Sequence, residues 1–402
     1  MLRLSYLLCF SLLFCAACGD SEATSGEVSA DVEQMPGDTV AAFRADPQPI
    51  AEQEVTTLEV GSPAPDFNLP GADGEFHELA DYADAQILVV VFTSNHCPTA
   101  QAYEQRLIDF QDEYQERGVQ LVAISPNSPL GLLYEELGYT DLNDDYDQLA
   151  VRAEYARFNF PYLYDGDDHA VSLQYGPVAT PHVFVLDGDR TLRYTGRLDE
   201  SERPGTANAE DLRTAVDALL NGEEVPQPST PTFGCSTKWA WKTEYNDKAT
   251  ADWEARPVKL DEIDQEGVRE LMANDGDKLR LINVWATWCG PCVMEYPEFL
   301  VLQRMYGARD FEFVSISADK PDKKAQAEKF LNKVHSGVTN YLFTGKNIYE
   351  LVAAIDPEWN GALPYTILVE PGGDVVYRHQ AEVDFLELKR AIVEHELMGR
   401  VY

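Results

Sequence analysis

Positive charge is scarce in this chain. Its 31 Lys and Arg stand against 69 Asp and Glu, a formal net charge of −38. Nucleic-acid phosphates are held by clustered Lys and Arg, so the deficit argues against nucleic acid as a partner. It reads instead as a solvated, self-repelling surface. Cysteine is scarce too: seven in 402 residues are spread too thinly for a disulfide scaffold and point to reactivity. The N-terminal apolar stretch, Leu7–Phe14, is too short to span a bilayer. What the chain does have is 45% hydrophobic and 11% aromatic residues, enough to bury cores over two ordinary domains.

Arg3, the Leu7–Phe14 stretch and Ala16–Ala17 have the plan of a secretory signal over residues 1–17. The following Cys18 completes an arrangement that resembles a bacterial lipobox, which implies a lipidated Cys18 and attachment to a membrane. An ordinary signal with an incidental Cys18 is the alternative. Residues 19–55 contain nine acidic residues against a single Arg44, so 18–56 is expected to be a flexible acidic tether. The protein is then exported to an oxidising cell-envelope or periplasmic space. Cys9 and Cys15 leave with the signal, and Cys97, Cys235, Cys289 and Cys292 remain for chemistry.

The sequence repeats one plan. The apolar runs at 85–92 and 279–287 each read as a buried central strand, followed by Pro98 or Pro291 and an amphipathic helix. Tyr103, Leu107, Phe110 and Tyr114 recur at helical spacing in the first copy; Phe299, Leu302 and Tyr306 do so in the second. "TPHVFVLDGDRTLRY" (180–194) aligns without a gap on "LPYTILVEPGGDVVY" (363–377) as proline, strand, turn, strand. The expected fold is two tandem α/β sandwiches, each a mixed sheet flanked by helices. They are placed at 57–224 and 256–402. Residues 225–255 link them and carry a docked "FGCSTKW" segment (233–239).

The second copy holds W-C-G-P-C at 288–292. At a helix start, unpaired N–H groups and the helix dipole lower the first thiol's pKa, and the second thiol lies one turn deeper. Cys289 is therefore the attacking nucleophile and Cys292 the resolver, with Trp288, Gly290 and Pro291 shaping the rim. A zinc site would need four ligands, and no second C-x-x-C or His pair is nearby. Together with Glu295-x-Pro297 and Leu363–Pro364, the motif resembles the TlpA/ResA-type thiol–disulfide oxidoreductases. That resemblance implies that Glu295 takes the proton of Cys292 and that Pro364 is a cis-proline facing the disulfide. It also implies protein dithiol or disulfide substrates, an upstream electron donor in the membrane, and no cofactor. Asn283 stands where plain thioredoxins carry a buried Asp. A solvated Glu295 is the competing reading.

The first copy has one cysteine. In S-N-H-C, Ser94 falls where the first cysteine of a C-x-x-C would be, and Cys97 falls at the second. "GSPAPDFNLPGADG" (61–74), "HCPTA" (96–100) and Thr180–Pro181 resemble the peroxiredoxin/redoxin branch of the superfamily. By that resemblance Cys97 is a peroxide-reactive thiolate, with the Ser94 hydroxyl beside it and Pro181 as the cis-proline. Neither Arg157 nor Arg197 is assigned to the late arginine of that branch. A partner-docking module with a monothiol and an inert structural Cys97 stay open as readings. His96 beside Cys97 supplies too few ligands for copper. Cys235, the unassigned thiol, is the candidate resolving cysteine for Cys97. The leading function is disulfide exchange by the second copy with partner proteins or with the first copy. Reduction of apocytochrome c thiols during cytochrome c maturation is the runner-up, and a purely binding first copy is the third reading.

Overall fold

The computed structural model describes residues 43–399; the signal, Cys18 and residues 19–42 lie outside them. A short hairpin of β1 (Asn68–Pro70) and β2 (Phe76–Glu78) precedes the first sandwich. That sandwich runs β3 (Ile87–Phe92), α1 (Pro98–Tyr114), β4 (Val119–Ser125), α2 (Tyr146–Ala156), β5 (Tyr162–Tyr164) and the single turn α3 (Ser172–Tyr175). It continues with β6 (Ala179–Thr180), β7 (His182–Leu186), β8 (Leu192–Gly196) and α4 (Glu210–Leu220). The main sheet has the order β5-β4-β3-β7-β8, with β3 parallel to β4 and antiparallel to β7.

After β9 (Cys235–Ser236) and α5 (Thr243–Glu254), the second sandwich repeats the plan. Its elements are β10 (Asp261–Ile263), α6 (Gln265–Ala273), β11 (Leu279–Trp285), α7 (Gly290–Tyr306), β12 (Phe311–Ser317) and α8 (Lys324–Lys333). Then come β13 (Thr339–Phe343), α9 (Ile348–Ile355), β14 (Tyr365–Val369), β15 (Val375–Gln380) and α10 (Phe385–Val393). The sheet order is β10-β13-β12-β11-β14-β15. Both halves are mixed α/β sandwiches, as the repeat implies.

The central strands are apolar because helices cover both of their faces. All six residues of β3 are buried. Ile87, Val89 and Val91 enter the core under α1 and α4, while Leu88, Val90 and Phe92 enter the opposite one. In β11, Leu279, Leu281 and Trp285 pack on one side and Ile282 and Val284 on the other. This period of two is what a pleated strand dictates. Pro98 sits in the first turn of α1, where its missing N–H costs nothing.

One segment differs from expectation. Residues 43–56, placed in the flexible tether, lie against the first sandwich without regular secondary structure. The cause is aromatic: Phe43 meets the edges of Phe76 and Tyr146 at 5.8 and 4.8 Å, and Gln48 donates its N–H to the Asp167 carbonyl at 3.2 Å. The two halves also share a packed interface. Leu132 and Leu137 of the first half join the core of the second. Tyr306 donates to the Thr140 carbonyl at 2.8 Å, Arg309 to that of Gly138 at 2.7 Å, and Arg390 to Asp141 at 3.0 Å.

Candidate active sites

β11 ends at Trp285 and the chain turns directly into α7, with Cys289 as the N-cap. Cys289 and Cys292 are joined by a disulfide with a Cα–Cα distance of 5.3 Å. The Cys289 sulfur accepts the N–H of Cys292 at 3.4 Å. Cys289 is 7% exposed and Cys292 is fully buried, whereas the Trp288 beside them is 70% exposed. An outside thiolate therefore meets Cys289 first.

Glu295, one turn beyond Cys292, is buried rather than solvated. Its Oε2 accepts the Val383 N–H at 3.1 Å, and its Oε1 has no partner. Burial raises its pKa to about 7, against the pull of the Val383 N–H. Such a carboxylate can hold or release a proton near neutrality. Asn283 donates to the Thr366 hydroxyl at 3.0 Å, and its side chain also lies against the Glu295 carboxyl and draws that carboxyl's pKa down. The Leu363–Pro364 peptide is cis, as is Thr180–Pro181.

Strand register fixes how the two sites correspond. Phe92 of β3 pairs with His182, the residue after Pro181; Val284 of β11 pairs with Tyr365, the residue after Pro364. Counting five residues on from each gives Cys97 and Cys289, and both are helix N-caps. Cys97 thus holds the place of Cys289, Ala100 that of Cys292, and Tyr103 that of Glu295. The expected equivalence of Ser94 with a first cysteine is corrected: Ser94 corresponds to Ala286, still on the loop before the helix. The S-N-H-C spacing imitates a C-x-x-C, but the helix begins only at Pro98. Ser94 donates to or accepts from the Thr180 hydroxyl at 2.9 Å.

A second cysteine reaches the Cys97 site from far away in sequence. β9 pairs antiparallel with β6, in register Thr180↔Cys235. The N–H of Cys235, 138 residues from Cys97, donates to the Cys97 sulfur at 3.3 Å. The Ala100 N–H donates at 3.5 Å, and the Thr180 carbonyl lies 3.1 Å from the same sulfur. Cys97 is fully buried and Cys235 half-buried. Burial pushes Cys97 up, but the Cys235 thiol, the charge of His96 and the Ala100 and Cys235 N–H groups bring it down to about 6. Cys235 moves the other way, through its hydrogen bond to Cys97 and then its burial. Cys97 is thus the more acidic thiol of the pair, and in its protonated form it donates to the Thr180 carbonyl.

Sequence reading missed the source of the positive charge. His96 is buried, which disfavours its protonation, yet Asp144 raises its pKa through an Nδ1–Oδ2 bond of 2.5 Å. Asp144 also accepts the N–H groups of Asn95 and His96 and the amide of Asn127, at 2.8, 3.0 and 2.8 Å. Burial pushes the Asp144 pKa up, but His96 and the hydrogen bonds that the carboxylate accepts together bring it below the usual carboxylate value. Asp144 lies in "LNDDYD", where nothing in the local pattern marks it. Arg197 is held by Asp211 and Glu200 at 2.7 and 3.1 Å, and Arg157 is exposed.

Two helix-start sulfur centres, each beside a proline at the start of the neighbouring strand, define a thioredoxin-fold thiol–disulfide oxidoreductase. Residues 60–195 match the AhpC/TSA family model and residues 258–392 the Redoxin model. The chain is 26% identical over 143 residues to the thiol-disulfide oxidoreductase ResA of Halalkalibacterium halodurans, covering 34% of this chain and 70% of that one. It is 30% identical over 158 residues to a Mycobacterium tuberculosis protein named as a peroxiredoxin, covering 35% of this chain and 99% of that one. A solved structure of a hypothetical protein from Sinorhizobium meliloti is 33% identical, with a TM-score of 0.41, over 46% of this chain and 96% of that one. The chain belongs to the redoxin family, with an AhpC/TSA domain and a Redoxin domain in tandem.

Proposed function

We propose that this is an exported enzyme with two thiol centres of different reactivity. The C-terminal Cys289–Cys292 pair exchanges disulfides with partner proteins: Cys289 attacks, Cys292 resolves, and Glu295 exchanges the proton of Cys292. The observation that carries this reading is the buried Glu295, with its free Oε1, one turn beyond a helix-start disulfide. Cys289→Ser should abolish insulin-disulfide reduction by the full chain, and Cys292→Ser should accumulate mixed disulfides. Full turnover by Cys289→Ser overturns the assignment.

A second reading, for the N-terminal centre, is supported by the Cys97–Cys235 juxtaposition. There a thiolate at a helix start reacts with a hydroperoxide, and Cys235 resolves the product. No comparable observation favours apocytochrome c as the substrate. Export and lipidation rest on residues 1–18 alone, and fractionation of a Cys18→Ser variant tests them: the protein should move from membranes to the soluble envelope fraction.

A further inference from the structure

Thr180 and Leu363 are equivalent residues, each preceding the proline that opens its strand. A backbone edge of this kind can accept an added strand. In the C-terminal half, Leu363 belongs to no strand pair among the described residues and is half-buried. In the N-terminal half the same edge is already filled by β9.

The filling segment is built to stay. Gly234 has φ +138°, and a Cβ there would lie 2.0 Å from the Thr180 carbonyl oxygen, so only glycine lets the strand come this close. On one side Thr230 is tied to Thr195 by a backbone bond of 3.1 Å. On the other, Thr237 donates to the Pro177 carbonyl at 2.7 Å and the Lys238 N–H to Asn127 at 2.8 Å. Trp239 then stacks on Trp241, with ring centroids 4.9 Å apart. Cys97, underneath, has no exposed surface.

We propose that residues 230–241 form a built-in substrate strand, which closes the Cys97 site to polypeptides and makes Cys235 the sulfur through which Cys97 is re-reduced. This rests on the reading that Cys97 is oxidised by a hydroperoxide. The Cys97 thiolate attacks the O–O bond, forming S–O and releasing an alcohol or water, and the sulfur loses two electrons to become a sulfenic acid. Cys235 then attacks that sulfur, S–S replaces S–O, and water leaves with the Cys235 proton. An external thiolate next attacks Cys235, the more exposed sulfur, and Cys97 departs as the better leaving group because its thiolate is the more stable. A protein disulfide cannot enter, since its strand would have to displace β9.

The test uses the full chain with Cys9, Cys15, Cys18, Cys289 and Cys292 all changed to Ser, so that only Cys97 and Cys235 react. A cysteine peptide activated as a mixed disulfide is the polypeptide probe, hydrogen peroxide is the small one, and peptide mapping reads the product at Cys97. Peroxide should yield the Cys97–Cys235 disulfide while the peptide leaves Cys97 unmodified. Adding Gly234→Val should raise peptide capture at Cys97 at least tenfold. Thr237→Ala, which adds no bulk, should raise it less, and circular dichroism should show both variants folded. Equal capture with and without these changes overturns the closure. If capture rises but peroxide never oxidises Cys97, the closure stands and the hydroperoxide reading falls.

Discussion

Burial aside, the His96–Asp144 pair stands second only to the Cys235 hydrogen bond in setting the acidity of Cys97. The imidazole is buried and would be neutral there without the carboxylate that holds its Nδ1. Removing that charge while keeping the shape, as in Asp144→Asn, should let His96 lose its proton and Cys97 rise from about 6 toward the ordinary thiol range. At pH 7 the reaction of Cys97 with hydrogen peroxide should then slow by about tenfold and recover toward pH 9. A pH–rate profile measured by competition with a peroxidase of known rate checks this; an unshifted profile removes the pair from the mechanism. Glu295 makes the opposite demand on the fold. Its folded pKa, about 7, lies above the unfolded value of 4.5, so its contribution is fully present below pH 4.5 and is lost as pH rises through 7. Glu295→Gln should abolish that loss and make the oxidised protein more stable at pH 8 than the parent, by roughly 3 kcal/mol at most. Denaturant unfolding at pH 5 and pH 8 measures it. The same variant should slow insulin reduction without changing the fold.

At the scale of elements, the legible parts were those that repeat locally. The runs "ILVVVF" and "LRLINVW" could only be central strands, and the helices after them announce themselves through Pro98, Pro291 and apolar spacing. The gap-free alignment of 180–194 with 363–377 reflects a real equivalence of β7–β8 with β14–β15. What that alignment could also have settled is the place of Cys97. Counting back from Pro181 and Pro364 through the antiparallel pairs sets Cys97 level with Cys289, whereas the four-letter spacing S-N-H-C set it level with Cys292. Register outweighs a short motif because a one-residue slip would turn every side chain of a buried strand to the wrong face. Asp144 was not legible at all. It reaches the site from the turn before α2, and only tertiary packing brings that turn to the start of α1. "FGCSTKW" was visible as a docked piece, but its pairing with Thr180 needed the sheet.

At the scale of the molecule, the contacts between halves bear on how electrons could pass from one centre to the other. The bonds from Tyr306 and Arg309 to residues 138–140 hold the C-terminal end of α7 against the first half. Two residues beyond the strand that carries Cys235, Lys238 pairs with Glu136, in the turn whose Tyr134 ring lies under Arg304 near that same end. Cys289 caps the other end of this 17-residue helix, about 25 Å away along its axis. Disulfide exchange requires the sulfurs to touch. The rim at Trp288 is exposed, so a relay in which Cys289 meets Cys235 of another molecule is the arrangement to test beside one within the chain. Peroxide-treated Cys292→Ser protein should accordingly form Cys289–Cys235 bonds between chains. Non-reducing electrophoresis should show disulfide-linked dimers whose yield rises with protein concentration, and mapping should place the bond on Cys235 rather than Cys97. A concentration-independent bond within one monomer would instead mean that the relay runs within the chain.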